Sequence, residues 1–240
     1  MGDRKYETVG IICAMAKEVT LLEKTMTESS RETVSGVEYI SGTMEGVRVV
    51  LAVCGVGKVF AAICAQTMIL KYHPDVILNA GVAGSLTEGL HIGDIAIADK
   101  VVQHDMDTSP VGDPFGLISG INKVYLPATE SVAALLKECV EECAGEQGIH
   151  AMIGTIASGD QFVHTKEQRE TIVKRFKPIA CEMEGAAIGQ VAYVNGVDYG
   201  ILRAISDEGN EAAKLDYPVF VRKAAKTAAE ITTGFLRKIR

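Results

Sequence analysis

Apolar strand-like runs alternate with amphipathic helical segments along this 240-residue chain, and this alternation constrains the fold more than any other feature. Residues 8–13 form a strand-like run before a helical pattern at 17–26, and comparable pairs follow up to a final helix that ends near Ile239. The alternation predicts an α/β fold in which helices cover a central sheet. Because no repeat or low-complexity linker interrupts it, we expect one domain over residues 1–240.

Turn and cap residues indicate where individual elements begin and end. Glu45-Gly46 lies between two β-rich runs and predicts a hairpin. Thr165, with Gln168 three residues later, is typical of a capping box at the start of a helix. The glycine-rich segment from Asn79 to Gly84 predicts a turn after a short buried strand, and Pro218 is expected in the first turn of the last helix.

Composition excludes several classes of partner. The net charge of −7, without a basic cluster, argues against nucleic acid and anionic membranes. The charged segment Met1–Glu7 lacks the apolar core of a signal peptide, and no uninterrupted apolar stretch reaches membrane-spanning length. The six cysteines form no CxxC pair and most lie in apolar runs, which favours buried thiols in a reducing compartment. We therefore expect a cytoplasmic protein.

Three carboxylates follow strand-like runs, at the end of an α/β sheet where ligands bind. These are Glu18, Glu184 and Asp207, and Arg203 precedes the last of them by four residues. Each acid alone also has a structural interpretation, as a turn residue for Asp207, a cap of the next helix for Glu184 and a first-turn acid for Glu18. Their joint placement favours a ligand site over three unrelated structural roles.

Two glycine-rich segments do not fit nucleotide-phosphate motifs. The segment Cys54–Val59 lacks the first glycine of a phosphate loop, whose place is taken by Ala52, and ends without the required serine or threonine. The segment Asn79–Gly84 does not match the dinucleotide pattern. Both are expected to let the backbone approach a small ligand.

Metal and covalent acyl chemistry find no support in the motifs. His104-Asp105 has no second cluster at ligand spacing, and neither a G-x-S-x-G elbow nor a cysteine with an activating partner is present. Phe162 leaves two interpretations open, a ring that stacks on a base and an ordinary core residue.

Six segments in chain order resemble those of the 5′-methylthioadenosine/S-adenosylhomocysteine nucleosidases, within the purine and uridine phosphorylase superfamily. The resemblance extends from about Val9 to the last helix. The segments are Gly10–Met15 with Glu18, Gly55–Lys58, Asn79–Gly84, Ser158–Val163, Glu182–Gly185 and Arg203–Asp207.

The resemblance implies hydrolysis of the N-glycosidic bond between adenine and a 5′-thio-substituted ribose, which releases adenine and the 5-thioribose product without a cofactor. On the base side, Asp207 would bond adenine N7 and supply its proton, and Ser206 would orient Asp207. Phe162 would stack on adenine, and backbone groups of Val163 would read its Watson–Crick edge.

The resemblance also implies roles on the sugar side. Glu184 would hold the ribose hydroxyls, with Met183 packed beneath the ring. Glu18 would activate the attacking water, positioned with the help of Arg203. The remaining substrate-binding residues implied are Glu182, Val82, Met15, Val56 and Tyr217, with Phe115 as a further residue for the 5′-substituent pocket.

Two alternatives stay open beside the hydrolase. Phosphorylases of the same superfamily hold phosphate with cationic side chains, whereas a carboxylate such as Glu18 near the nucleophile suits water. Relatives that lost catalytic acids serve as nucleoside-binding or storage proteins, but this chain retains Glu18, Glu184 and Asp207.

The expected fold is a three-layer α/β sandwich around a central mixed, partly barrel-like sheet, as in other phosphorylase/hydrolase-like proteins. The resemblance further implies a homodimer in which the region from Gln103 to Phe115 crosses to the partner's site. Two departures from the family, Val82 and Val111, concern substrate specificity. The choice among methylthioadenosine, S-adenosylhomocysteine, 5′-deoxyadenosine and 6-amino-6-deoxyfutalosine is open, and so is the pathway, with methionine salvage among the options.

Overall fold

The computed structural model describes residues 6–144, 148–208 and 213–240, without the side chains of residues 17, 18, 144 and 213–218. The strands in this part are β1 (Thr8–Cys13), β2 (Thr27–Val34), β3 (Val37–Met44), β4 (Val47–Val53), β5 (Val76–Ser85), β6 (Ile95–Gln103), β7 (Leu126–Pro127), β8 (Ala151–Ser158), β9 (Ala180–Glu182) and β10 (Asp198–Asp207). The α-helices are α1 (Ala16–Glu23), α2 (Lys58–Tyr72), α3 (Glu130–Ala144), α4 (Lys166–Phe176), α5 (Gly185–Asn195) and α6 (Ala213–Ile239).

All ten strands belong to one mixed sheet, which closes on itself at one end. Strands β5, β10, β6, β8 and β9 pair in that order, and β9 pairs back onto β5. Strands β1, β4, β3 and β2 extend from β5 as an open sheet. The expectation of a mixed, partly barrel-like sheet is confirmed.

Strand β5 pairs with two different strands along one of its edges. Its first half pairs with β1 up to Asn79, and its end pairs with β9 from Gly84. Neither ladder, among the pairings of these described strands, includes residues 80–83. The sheet therefore opens on this edge between the ends of β1 and β9, and the opening lies at the carboxyl end of β1, where α/β sheets bind ligands.

Helices cover both faces of the sheet, so the three-layer expectation is also confirmed. Successive residues of β1 point to opposite faces, with Ile11 in a core shared with α1, α3 and α6, and Ile12 in a core shared with α2 and α5. A smaller apolar cluster joins α4 to β8 and includes Phe176. Among the described residues, no helix has the length and apolar character needed to cross a bilayer.

Several predicted elements are confirmed, two predictions are wrong, and one strand was not predicted. The hairpin turns at Glu45-Gly46, where both residues have positive φ, 50° and 80°. The segment Asn79–Gly84 is not a turn but part of β5, because pairing with β10 along its whole length outweighs the weak strand preference of glycine. Helix α6 begins at Ala213, so Pro218 lies inside it rather than in its first turn. The pattern also fails to predict β2, whose mostly exposed residues show no apolar alternation.

The capping box of α4 is confirmed and gives a first testable prediction. The Gln168 N–H donates to Thr165 Oγ1, and the Thr165 N–H donates to Gln168 Oε1, both at 3.2 Å. We expect Thr165→Ala to lower the free energy of unfolding by about 1 kcal/mol, because one N-terminal N–H of the helix loses its acceptor. Urea unfolding measures this, with Thr165→Ser as the variant that keeps the oxygen. Equal losses in both variants would contradict a capping role.

Candidate active site

A pocket of about 190 Å³ lies at the sheet opening between the ends of β1 and β9. It is bounded by the β1 exit, the glycine-rich end of β5, the junction of β9 with α5, and the end of β10. Eleven predicted site residues line it: Met15, Val56, Val82, Phe162, Val163, Glu182, Met183, Glu184, Arg203, Ser206 and Asp207. Phe115, which was expected in the 5′-substituent pocket, does not line it. The side chains of Glu18 in α1 and Tyr217 in α6 lie outside the described residues.

Asp207 and Ser206 both reach the pocket because the end of β10 is irregular. Its register against β5 shifts between Ile205 and Asp207, so one extra residue is inserted at Ser206. In a regular strand two successive side chains would point to opposite faces, and the bulge re-aims them. The Ser206 hydroxyl donates to Asp207 Oδ2 at 2.9 Å, and both residues are buried. The carboxyl group of Asp207 is thus oriented by its neighbour.

Arg203 and Glu182 form a buried ion pair behind this acid. Both side chains are 2% exposed, and Arg203 Nη2 donates to Glu182 Oε2. Burial alone would raise the pKa of Glu182, but the Arg203 guanidinium and the Ser158 hydroxyl, which donates to Glu182 Oε1, hold it below its ordinary value. Glu182 is therefore a carboxylate whose two oxygens both accept hydrogen bonds from protein donors.

Glu182, not Glu184, satisfies the start of α5. Its Oε2 accepts from the Glu184 N–H at 3.0 Å and from the Gly185 N–H at 2.7 Å. The structural interpretation of Glu184 as a side-chain cap is wrong, because its side chain makes no cap bond to α5. Instead, Glu184 Oε1 accepts from the Gly57 N–H at 2.9 Å, on the far side of the pocket. Because Glu182 accepts the N–H groups at the start of α5, the Glu184 carboxylate can lie in the pocket wall.

Asn79 contacts the site residue Arg203, although its sequence context predicts only the start of a glycine-rich turn. Its side chain, 1% exposed, accepts at Oδ1 from Arg203 Nη2 and donates from Nδ2 to the Ile12 carbonyl at 2.8 Å. It therefore ties the guanidinium to the end of β1. The sequence does contain a signal for this role, because Asn79 is a single amide side chain in an apolar run, and buried polar groups require partners.

The part of the pocket around Phe162 is apolar and partly open. Phe162 is 42% exposed, so its interpretation as a core residue is wrong. Its ring lies at the pocket against the ring of His164, with centroids 6.3 Å apart. Val163 beside it is buried. Burial also raises the pKa of the Cys181 thiol that lines the wall, so this cysteine is not a nucleophile at neutral pH.

The charges of the pocket favour a cationic transition state over an anionic ligand. Among its described lining residues, Arg203 is the sole cation, and Glu182 already pairs with it. No group of three His, Cys, Asp or Glu side chains in the described part of the chain is arranged to hold a metal ion.

Phe115 lies away from this pocket, with the Arg175 guanidinium 3.7 Å from its ring centroid in a neighbouring cavity.

Comparisons with known proteins agree with this geometry. The family model of the phosphorylase superfamily matches residues 8–237. A 5′-methylthioadenosine/S-adenosylhomocysteine nucleosidase of Staphylococcus aureus (strain JH9) is 36% identical over 96% of this chain and 100% of its own length. The nucleosidase of Neisseria meningitidis, solved with methylthio-immucillin-A, has a TM-score of 0.92 at 30% identity, covering 97% of this chain and 99% of that one. A futalosine hydrolase of Helicobacter pylori has a TM-score of 0.90 at 36% identity, covering 97% and 98%.

Proposed function

Because this chain belongs to the phosphorylase superfamily and, within it, to the 5′-methylthioadenosine/S-adenosylhomocysteine nucleosidases, we propose that its pocket hydrolyses the N-glycosidic bond of these nucleosides. The products are adenine and the corresponding 5-thioribose. The observation that carries the proposal is that a buried strand-end acid, Asp207, and a second buried acid, Glu184, line the same pocket.

On the base side, Asp207 acts as the general acid. As the bond from C1′ to N9 breaks, its electron pair moves into adenine, and protonation at N7 by Asp207 neutralises the developing charge on the leaving base. The Ser206 hydroxyl, which donates to Asp207 at 2.9 Å, fixes the direction of this proton donor. Phe162 stacks on the purine, and the backbone of Val163 recognises its edge.

On the sugar side, carboxylates face an oxocarbenium-like ribose. Glu184 binds the ribose hydroxyls, and Met183 packs beneath the ring, while negative charge near C1′ stabilises the cationic transition state. Glu18 removes a proton from the water that attacks C1′, and Arg203 positions that water. Support for Arg203 in this role comes from its two anchors, Asn79 and Glu182, which aim its guanidinium from behind the pocket.

The experiment that tests this function is adenine release from methylthioadenosine with and without phosphate. Hydrolysis yields free methylthioribose at a rate independent of phosphate. A requirement for phosphate, with a sugar 1-phosphate as product, would make the chain a phosphorylase. Tight adenosine binding without turnover would make it a binding protein. S-adenosylhomocysteine, 5′-deoxyadenosine and 6-amino-6-deoxyfutalosine belong in the same assay, the last because of the similarity to a futalosine hydrolase.

A homodimer is part of the proposal and is supported by an apolar surface next to the pocket. Helix α2 exposes Val59, Phe60 and Ile63, and helix α5, which packs against it, exposes Val194. Val56 at the pocket is itself more than half exposed. Val111 is 82% exposed in the region expected to cross to the partner. A shared apolar face of this kind is typical of subunit interfaces.

We expect Val59→Glu to raise the dissociation constant of the dimer about tenfold or more, since a charge would enter an apolar interface. Sedimentation equilibrium measures the constant. Val219→Glu on α6 is the matched control, because Val59 and Val219 are equally exposed, at 69%. A wild-type monomer with full activity at assay concentration would overturn the homodimer.

The location, the pathway and the domain limits complete the proposal. All six cysteines are free thiols, which supports a reducing, cytoplasmic compartment. Clearance of methylthioadenosine fits a role in methionine salvage. One nucleosidase domain over residues 1–240 is supported by the single sheet and by the family match over residues 8–237. Cell fractionation and growth on methylthioadenosine as the sulfur source test the first two.

A further inference from the structure

Three segments at the rim of the pocket meet in a closed ring of hydrogen bonds. Lys58, the first residue of α2, donates from Nζ to Asp105 Oδ1 at 2.6 Å. Asp105 Oδ2 accepts from the Asp160 N–H at 2.9 Å. Asp160 Oδ1 accepts from the Lys58 N–H at 2.8 Å, which closes the ring. We call these three residues the rim network.

The rim network connects segments that are far apart in the chain. Lys58 follows β4, Asp105 follows β6 and Asp160 follows β8. A further branch runs from Lys58 Nζ to Gln103 Oε1 at 3.0 Å, and from Gln103 Nε2 to Gln190 of α5 at 2.6 Å. The network thus fixes the start of α2 relative to α5 and to the segment that precedes Phe162.

The network acts on Glu184 through a single backbone group. Gly57 immediately precedes Lys58, and its N–H donates to Glu184 Oε1 at 2.9 Å. Gly57 has φ of 100°, and a Cβ at this position would lie 3.0 Å from Asp160 Oδ1. The backbone at Gly57 therefore has a conformation suited to glycine and lies close to the Asp160 carboxylate of the network.

The ion pair of the network is shielded from solvent. The side chains of Lys58 and Asp105 are 18% and 17% exposed, unlike the surface pairs of this protein, such as Lys71 with Glu32 at 41% and 49%. Burial would raise the pKa of Asp105, but the Lys58 ammonium and the Asp160 N–H hold it below its ordinary value. Partly buried pairs with further hydrogen bonds constrain geometry more than exposed ones do.

We propose that Lys58, Asp105 and Asp160 are positioning residues for ribose recognition, which hold the Gly57 N–H against Glu184 and thereby orient that carboxylate toward the ribose hydroxyls. The inference rests on the proposed function, in which Glu184 binds those hydroxyls. It assigns to the rim network a role in discriminating the sugar, separate from proton transfer to the base.

The test compares two substrates of the full-length protein, methylthioadenosine and its 3′-deoxy analogue. The 3′-hydroxyl is the group to remove, because it contributes to binding and is not adjacent to the reacting carbon. We expect Lys58→Met to lower the ratio of kcat/KM for methylthioadenosine over the analogue about tenfold, the value of one hydrogen bond to a charged group. Asp105→Asn should act in the same direction, Lys58→Arg should restore most of the ratio, and calorimetric affinity for free adenine should not change.

Lys71→Met is the matched control, because Lys71 belongs to the same helix and pairs with an acid at its opposite end. An unchanged ratio of kcat/KM in Lys58→Met would overturn the inference. If both substrates lose activity equally, the network has only a structural role, which overturns the inference as well. If the wild type does not hydrolyse methylthioadenosine, the proposed function fails instead. The inference is then decided by calorimetry, where weaker binding of adenosine but not adenine in Lys58→Met supports it and equal changes overturn it.

Discussion

Replacing Asp207 by asparagine should lower kcat for methylthioadenosine by about 10³-fold while the fold and KM change little. Asparagine has the shape of aspartate and still accepts the hydrogen bond from Ser206, so the geometry at the β10 bulge is retained. What it lacks is a transferable proton, so adenine would leave with its developing charge unneutralised. Single-turnover kinetics of adenine release measure the loss on the chemical step.

Two further observations decide whether Asp207 acts as the acid. Ser206→Ala should cost only about tenfold in kcat, because it removes one neutral hydrogen bond that orients the acid without removing the proton. Asp207→Asn should also bind methylthioadenosine without converting it, which equilibrium binding followed by adenine analysis measures. If Asp207→Asn kept more than a tenth of the wild-type kcat, protonation of the base would have to come from another group.

The largest loss of stability is expected from Glu182→Ala, at about 3–5 kcal/mol of the free energy of unfolding. The substitution leaves the Arg203 guanidinium buried without its carboxylate. It also removes the acceptor for the Ser158 hydroxyl and for two N–H groups at the start of α5. Urea unfolding followed by circular dichroism gives the value. Glu184→Ala, two residues away, is the matched comparison and should cost much less, since it leaves the buried ion pair of Arg203 with Glu182 intact.

The same ion pair predicts a pH dependence. The pKa of Glu182 is lowered in the folded state, so its contribution to stability is present above the ordinary glutamate pKa of about 4.3 and is lost as the pH falls further, through the folded value. Glu182→Gln should remove this component and flatten the acid limb of the stability curve. Parallel acid limbs in the wild type and in Glu182→Gln would contradict a stabilising role for the ionised pair.

The acids of the site were predictable because each follows an apolar run, and the end of such a run has a defined place in an α/β sheet. Asp207 and Glu184 lie where this reasoning expects them, in the lining of one pocket. The roles that escaped prediction depend on contacts between distant segments. Glu182 pairs with Arg203, 21 residues later, and Asn79 reaches that arginine over 124 residues.

The error at Asn79–Gly84 has the same origin. Glycine and alanine are both depleted in strands, but β10 pairs in parallel with this whole segment, and no local sequence pattern predicts that pairing. Small residues at this place also leave room for the pocket, whose wall includes Gly81 and Gly84. Pairing with β10 therefore outweighs the local preference of these residues. The small residues that led to the wrong turn prediction are the same ones that leave room for the pocket.

Closure of five strands into a ring has a consequence for how copies of this chain meet. In the described part of the chain, β2 and the two-residue β7 are left as outer strands of the sheet. Unpaired strand edges invite further strands to add, and charged side chains are a common defence. The outermost long strand, β2, carries Arg31 and Glu32, which engage Glu23, Glu38 and Lys71 in ion pairs. Growth of the sheet from one molecule to the next is thereby disfavoured, and helical surfaces are left as the places where neighbours associate.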